Sequence, residues 1–334
     1  MIGSIKNKKI ILSGGAGFIG HHLLNRLATN NTVFMIDNLK RGLLRRFNEN
    51  ENINFHQIDI TDLDQMVSLK QEADIFIHLA AINGTENFYQ RPIEVMDVGV
   101  LGVINVFKYC AEMSIPKVVV ASSAEVYQKP KTIPTPEDIE LVVPSHLNPR
   151  YSYGLSKIFT EFYSLHYGLQ KDLSVSIFRP HNVYGEDMGY KHVIPEFMLP
   201  FLKAKSENKK TVLIKTKGPI NSSRAFCYIS DIVDGIEAIS DQSSSGVYNI
   251  GNPTSINIKD ILLMLSDISG LELQIDDSKN EHLGSVTERV PDIAKIASLG
   301  YSPKINFLEG LTKTYNWYQK NYHLYEEEKI NTYL

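Results

Sequence analysis

The sequence predicts an α/β protein, a doubly wound parallel sheet joined to a smaller C-terminal substrate-binding lobe. Three observations carry this reading. Short apolar runs without polar alternation recur through the first 180 residues, longer amphipathic stretches separate them, and a glycine-rich turn links the first run to the first helix. Strands that are apolar throughout are buried on both faces, as in a parallel sheet covered by helices. Crossovers between parallel strands are right-handed, so repeated units wind outward on both sides.

The elements follow in order. Apolar runs predict strands at 9–13, 32–36, 54–57, 75–79, 118–121 and 174–178, and helical periodicity predicts helices at 18–29, 62–70, 92–113 and 151–169. After Pro180 the regularity breaks. Prolines 195, 200, 219, 253, 291 and 303 punctuate shorter elements, and a helix is expected near 308–322. Residues 1–180 are therefore expected to form the cofactor lobe, with later strands contributed from about 225–250. Residues 181–334 are expected to form mainly the substrate-binding lobe, and the acidic stretch from Tyr325 a solvated end.

Composition excludes several classes. With 334 residues, 43% of them hydrophobic, the chain can bury a large core. A formal charge of -4 provides no footprint for nucleic acid and no polybasic membrane patch. Cys110 and Cys227 are too few for a disulfide framework or a zinc cage, so a reducing compartment and no metal are expected. No apolar run approaches the ~20 residues of a membrane span, and Met1 to Lys9 shows no signal-peptide core. A cytoplasmic protein is the expectation. The 17 tyrosines are more than these considerations explain.

The turn Gly14-Gly15-Ala16-Gly17-Phe18-Ile19-Gly20 follows the first strand and opens the first helix. Gly14 suits the tight turn, Gly17 allows backbone to approach a pyrophosphate, and Gly20 allows close helix–strand packing, as in a Rossmann dinucleotide site. The helix N-terminus then favours the anionic phosphates. Asp37, closing the second strand, is placed to accept hydrogen bonds from the adenosine ribose. A carboxylate there repels a 2′-phosphate and favours NAD, although Arg41 stands nearby.

Tyr153 and Lys157, at i and i+4, share one helical face. Tyr151 fails the same test, because its i+4 position is Leu155. A phenol of pKa ~10 acts as a base near pH 7 only if its anion is stabilised by ~4 kcal/mol, and a lysine one turn away is a source of that.

The ordered set of this glycine turn, Asp37, Asp59-Ile60, His78-Leu79-Ala80-Ala81, Ser122-Ser123 and Tyr153 with Lys157 resembles the extended short-chain dehydrogenase/reductase family, nucleotide-sugar epimerase/dehydratase branch. Further matches lie at Arg179–Gly185, Arg224–Asp231 and Arg289–Asp292, so the resemblance spans nearly the whole chain. It implies NAD as cofactor and a nucleotide-diphosphate sugar as substrate. By this resemblance Tyr153 is the acid/base for a sugar hydroxyl, Lys157 orients the nicotinamide ribose, and Ser123 bonds the reacting oxygen. Gly14, Gly17, Phe18, Ile19, Gly20, Asp37, Asn38, Asp59, Ile60, Leu79, Ala80, Ala81 and Ser122 would complete the cofactor site. Arg224 and Arg289 would hold the diphosphate, Asn182 the substrate, and Val193 the segment over the base. The helices at 92–113 and 151–169 would pair across a two-fold axis into a four-helix bundle, making a homodimer.

Glu125 leaves the onward reaction open. In similar 4,6-dehydratases a glutamate here removes the C5 proton once C4 is a ketone, whereas 4-epimerases need no such base. Related enzymes with an aspartate before it have an acid for the leaving hydroxyl; here that residue is Ala124. Ser122 and Glu125 also fit a capping box. The family's Asn-x-x-Gly-Thr helix pattern appears as Gly99 to Val103, Gln128 replaces its glycine, and the polar insert from Asn83 to Asn87 is placed to meet the sugar. Oxidation at C4, continued by dehydration or released as a 4-keto sugar, is the expectation, with 4-epimerisation and a non-catalytic NAD sensor as alternatives.

Overall fold

The computed structural model describes residues 5–46, 50–215, 220, 222–242, 245–276 and 289–324. Six strands follow the predicted order: β1 (Lys9–Ser13), β2 (Thr32–Asp37), β3 (Ile53–Gln57), β4 (Ile75–His78), β5 (Lys117–Ala121) and β6 (Ser174–Pro180). A seventh, Gly246–Ile250, comes from the second half of the chain and pairs parallel to β6. The sheet runs Gly246–Ile250, β6, β5, β4, β1, β2, β3, all parallel. The chain winds outward from β1 to β3, then crosses back to β4 on the other side of β1. That reversal opens a crevice at the carboxyl ends of β1 and β4, where ligands bind in such sheets.

The helices are α1 (Phe18–Leu27), α2 (Leu63–Ser68), α3 (Thr85–Gln90), α4 (Pro92–Glu112), α5 (Ser152–Lys171), α6 (Val193–Ser206), α7 (Ile229–Ser240) and α8 (Ile258–Ser269), with a short helix at Ala294–Ala297 and a last one at Phe307–Lys320. Ile10 and Leu12 of β1 pack with Leu23 and Leu27 of α1 and Ile232 and Ile236 of α7. Ile11 turns the other way, toward Met66 of α2 and Val103, Val106 and Phe107 of α4. Burial on both faces is why these strands show no alternation.

A second core joins α6, α8 and the last helix around Met198, Phe201, Ile261, Leu265 and Leu311. Much of the tyrosine excess lies here, since Tyr184, Tyr228, Tyr315 and Tyr318 are buried in it. Of the stretch at 225–250, Gly246–Ile250 enters the central sheet, while Cys227–Tyr228 pairs with Val183–Tyr184. The prolines do not all punctuate. Pro195 and Pro200 lie inside α6. Pro195 falls in the first turn, where an N–H has no helical acceptor to lose, whereas Pro200 forgoes a bond the surrounding core offsets. Pro219 and the acidic end from Tyr325 lie outside the described residues.

A buried polar network ties the sheet to the lobe beyond it. Arg179 of β6 holds Glu161 of α5 through two bonds, 2.8 and 2.6 Å, and donates to Tyr127 Oη at 2.6 Å and Glu137 O at 2.8 Å. Tyr127 Oη donates to Asn249 Oδ1 at 2.8 Å, and Asn249 Nδ2 reaches Thr135 O and Asp292 O. Removing one member of such a pair strands a buried charge. Arg179→Met is expected to lower unfolding free energy by about 3 kcal/mol or more in chemical denaturation. Adding Glu161→Leu should recover part of that loss; a double variant weaker than the single one would contradict this account.

Candidate active site

The glycine turn lies in the crevice. Gly14 adopts a φ of +75°, and a Cβ there would lie 2.7 Å from Ala80 N at the end of β4. A Cβ on Gly20 would lie 2.0 Å from Gly14 O, so α1 can approach β1 only without a side chain. Gly17 caps α1 with no side-chain oxygen, which leaves the first-turn N–H groups of Phe18 and Ile19 directed at the crevice. These features fit the pyrophosphate of a dinucleotide.

Asp37 lies at the far end of β2, accepting from Ala16 N at 3.1 Å and Leu39 N at 2.8 Å. Burial pushes its carboxyl up, against those two N–H groups and the Arg46 charge. Asp59 accepts from Asn38 Nδ2 at 3.0 Å and from Thr61, and lies 3.3 Å from Lys40 Nζ. Against the cost of burial, these contacts bring its carboxyl down to about 2. Ile60 O is held by Asn105 Nδ2 at 2.9 Å. Leu79 N donates to Ser13 O at 3.1 Å, seating the segment Leu79, Ala80, Ala81 beside the glycine turn. Sequence-predicted residues from four segments thus line one crevice.

The end of β5 and the inner face of α5 meet residue by residue. Lys157 Nζ donates to Ala121 O at 2.8 Å. Ser122 Oγ makes a short hydrogen bond to Glu161 Oε1. Ser123 favours the ionised form of the Tyr153 phenol, and Lys157 Nζ lies 5.8 Å from the Tyr153 ring centre. Phe88 of α3 stacks on the opposite side of this assembly, its ring 5.0 Å from that of Tyr153 and tilted by 10°. Burial pushes Tyr153 up to about 12, with Ser123 and Arg41 opposing it and Glu125 adding to it. Burial also lowers Lys157 to about 8, against the pull of Glu161. The protein by itself therefore holds Tyr153 as a phenol.

The capping box does not form. Ser123, not Ser122, caps the short 3-10 turn Ala124–Tyr127, accepting from Glu125 N at 3.1 Å. Ser122 N donates to Phe178 O, and the Glu125 carboxylate turns toward Arg289, 2.7 Å away. Arg150 lies at 3.9 Å, and Arg224 acts on Glu125 through space. Burial raises the Glu125 carboxyl, but Arg289, Arg150 and Arg224 outweigh it and hold the group below the usual carboxylate range. Asn182 gives its Nδ2 to Ala225 O at 2.8 Å, tying the Arg224 strand to the end of β6. Val193 begins α6 and is half-exposed.

Some neighbours were not legible. Arg150 precedes α5 on a 3-10 turn, and its only sequence signal is a basic residue near Tyr153. Phe88 and Glu161 read as ordinary core and surface positions. Arg41 acts electrostatically on Tyr153 and His192, away from the adenosine end where sequence placed it. The departure at Gly99 has a packing reason: a Cβ there would lie 2.6 Å from Ser156 Cβ, so glycine allows α4 to touch α5.

Residues 10–251 match the model of the NAD dependent epimerase/dehydratase family. The chain belongs to this family. It is 32% identical to a Methanocaldococcus jannaschii protein provisionally named UDP-glucose 4-epimerase, over 93% of this chain and 99% of that one. It is 30% identical to the UDP-N-acetyl-alpha-D-glucosaminuronate decarboxylase of Bacillus cytotoxicus, over 94% and 98%. The fold matches that of UDP-N-acetylglucosamine 4-epimerase from Methanobrevibacter ruminantium M1, with a TM-score of 0.83, 24% identity, and 95% and 100% of the two chains covered. The protein is therefore an enzyme of the extended short-chain dehydrogenase type, and its cofactor is NAD.

The buried ammonium gives a stability prediction. Between about 8 and ~10.5 the unfolded chain holds a proton on Lys157 that the folded chain has lost, so stability rises with pH across that window. Lys157→Met, which never carries this charge, should melt higher than the native protein at pH 7, and the difference should shrink by pH 9.5. A lysine variant equally less stable at both pH values would show that the ammonium is not strained.

Proposed function

We propose that the enzyme binds a nucleotide-diphosphate sugar, oxidises its C4 hydroxyl to a ketone, and carries the 4-keto sugar onward at C5. The observation that carries this is the buried pair at the glycine turn, Lys157 Nζ fixed on Ala121 O at 2.8 Å and 5.8 Å from the Tyr153 ring centre, with Ser123 favouring the phenolate. Bound NAD supplies the hydride acceptor. Tyr153 takes the C4 hydroxyl proton as the C4–H bond breaks, and Ser123 donates to the forming carbonyl oxygen. Lys157 holds the nicotinamide ribose, and the charge of the bound cofactor makes the phenolate form of Tyr153 accessible. Gly14, Gly17, Phe18, Ile19 and Gly20 hold the pyrophosphate, Asp37 and Asn38 the adenosine ribose, and Asp59 and Ile60 the adenine. Leu79, Ala80, Ala81 and Ser122 form the wall behind the nicotinamide.

Arg224 and Arg289 face the diphosphate, while Asn182 and Val193 border the sugar and the base. A C4 ketone acidifies C5 and also labilises a carboxylate on C5, so the same ketone opens 4,6-dehydration and decarboxylation. Glu125, in the site and coupled to Tyr153, supports C5 chemistry; a C4 dehydrogenase would instead release the ketone. A second reading, 4-epimerisation, is favoured by the relative at 32% identity.

α4 and α5 carry an uncovered apolar stripe. Ile93 is 71% exposed, Phe162 66% and Leu169 78%, with Leu101 and Leu155 between them. The proposed occupant is the same face of a second copy, closing a four-helix bundle. No described helix is long and apolar enough to cross a membrane, and Cys110 and Cys227 are buried free thiols, which supports a cytoplasmic setting.

Incubation with NAD and UDP-, GDP-, dTDP- and CDP-sugars, uronic acids included, in deuterated water separates the outcomes by mass. Dehydration loses water and decarboxylation loses carbon dioxide, each with one solvent deuterium gained at carbon. A 4-epimerase changes neither mass nor carbon-bound hydrogens, and a C4 dehydrogenase removes two hydrogens. No turnover with any sugar would sink the proposal. In light scattering the native protein should be a dimer and a Phe162→Glu, Leu169→Glu variant a monomer; a monomeric native protein would rule the bundle out.

A further inference from the structure

Three arginines from separate parts of the chain converge on one carboxylate. Arg289 contacts Glu125 at 2.7 Å, Arg150 lies at 3.9 Å, and Arg224 acts through space. One negative charge among three positive ones leaves an excess of two, which is the charge that a bound diphosphate diester brings. The Arg289 side chain is deeply buried, donating Nη1 to Glu125 and Nη2 to Gln128 O at 3.1 Å. Its Nε is also buried and has no acceptor among the described residues. A buried guanidinium N–H lacking an acceptor is unfavourable, and a ligand oxygen removes that cost. A guanidinium can grip phosphate through two parallel N–H bonds, but an edge used by a carboxylate is closed to it. Glu125 is the more exposed partner, its side chain at 28% against 8% for Arg289, so the pair opens from the glutamate side.

We infer that Glu125 is a displaceable internal anion, occupying Arg289 until a nucleotide diphosphate takes the guanidinium and releases the carboxylate toward the sugar. The inference rests on the reading of Arg289 as a diphosphate ligand. In the free enzyme the carboxylate is neutralised and a poor proton acceptor, and only a correctly seated nucleotide restores its basicity. Because the two anions compete, anything that weakens Glu125 on Arg289 strengthens the diphosphate there.

Calorimetric titration of the NAD-loaded native protein, Glu125→Gln and Glu125→Asp with UDP, GDP, dTDP and CDP tests this without turnover. Glu125→Gln is expected to bind the preferred diphosphate about tenfold tighter than the native protein, the scale of one charge-assisted contact no longer broken. Glu125→Asp keeps the charge but shortens the reach to Arg289, and should also bind tighter. Tightening in Glu125→Gln alone would assign the effect to the field of the charge and overturn displacement, as would unchanged or weaker binding in both. Absence of binding to any form would overturn the substrate reading itself, and displacement with it.

Discussion

The site depends on one repeated contact, the clasp between the inner face of α5 and the end of β5. Tyr153, Lys157 and Glu161 follow one another at i+4 spacing toward three consecutive residues: Lys157 bonds Ala121 O, Glu161 bonds Ser122, and Ser123 acts on the Tyr153 phenol. Helix and strand rise differently per residue, so this match holds only where the helix crosses the strand end at a slant. Gly99 permits that crossing by letting α4 touch Ser156, and Arg179 fixes Glu161 from the sheet side. Misplacing any of the three would move the phenol off the crevice that the glycine turn lines.

The same clasp explains the electrostatics. Burying Tyr153 and Lys157 so completely penalises both charged forms, and the phenol rises while the ammonium falls. Glu161 and Arg179 form a neutral pair that supports the lysine without leaving a net charge in the core. The positive excess is instead concentrated on Arg150, Arg224 and Arg289, around Glu125. On the proposed reading, an enzyme with a formal charge of -4 would attract an anionic substrate by placed arginines rather than by its overall field.

How legible this was in the sequence follows from the range of each interaction. The sheet strands and their helices were readable because burial on both faces removes alternation, and the glycine turn because Gly14 and Gly20 answer to local sterics. Tyr153 and Lys157 were readable from a spacing within one helix. Contacts between distant segments were not: nothing local brings Phe88 onto Tyr153, Arg150 to Glu125, or Arg41 within range of the phenol. The capping box at Ser122 and Glu125 is a sound local pattern that a tertiary ion pair with Arg289 overrides. Pro200 shows the same priority, since a tertiary core outweighs its local preference to end a helix.

The central claim is that hydride leaves C4 of the sugar while Tyr153 takes the hydroxyl proton. A single turnover with an accepted nucleotide sugar carrying deuterium at C4, quenched before the ketone is resolved, tests it most directly. The account predicts deuterium on the recovered nicotinamide ring, none of it in solvent, and no transfer in Tyr153→Phe. Product formed with the label still at C4 throughout, or lost to water, would contradict it.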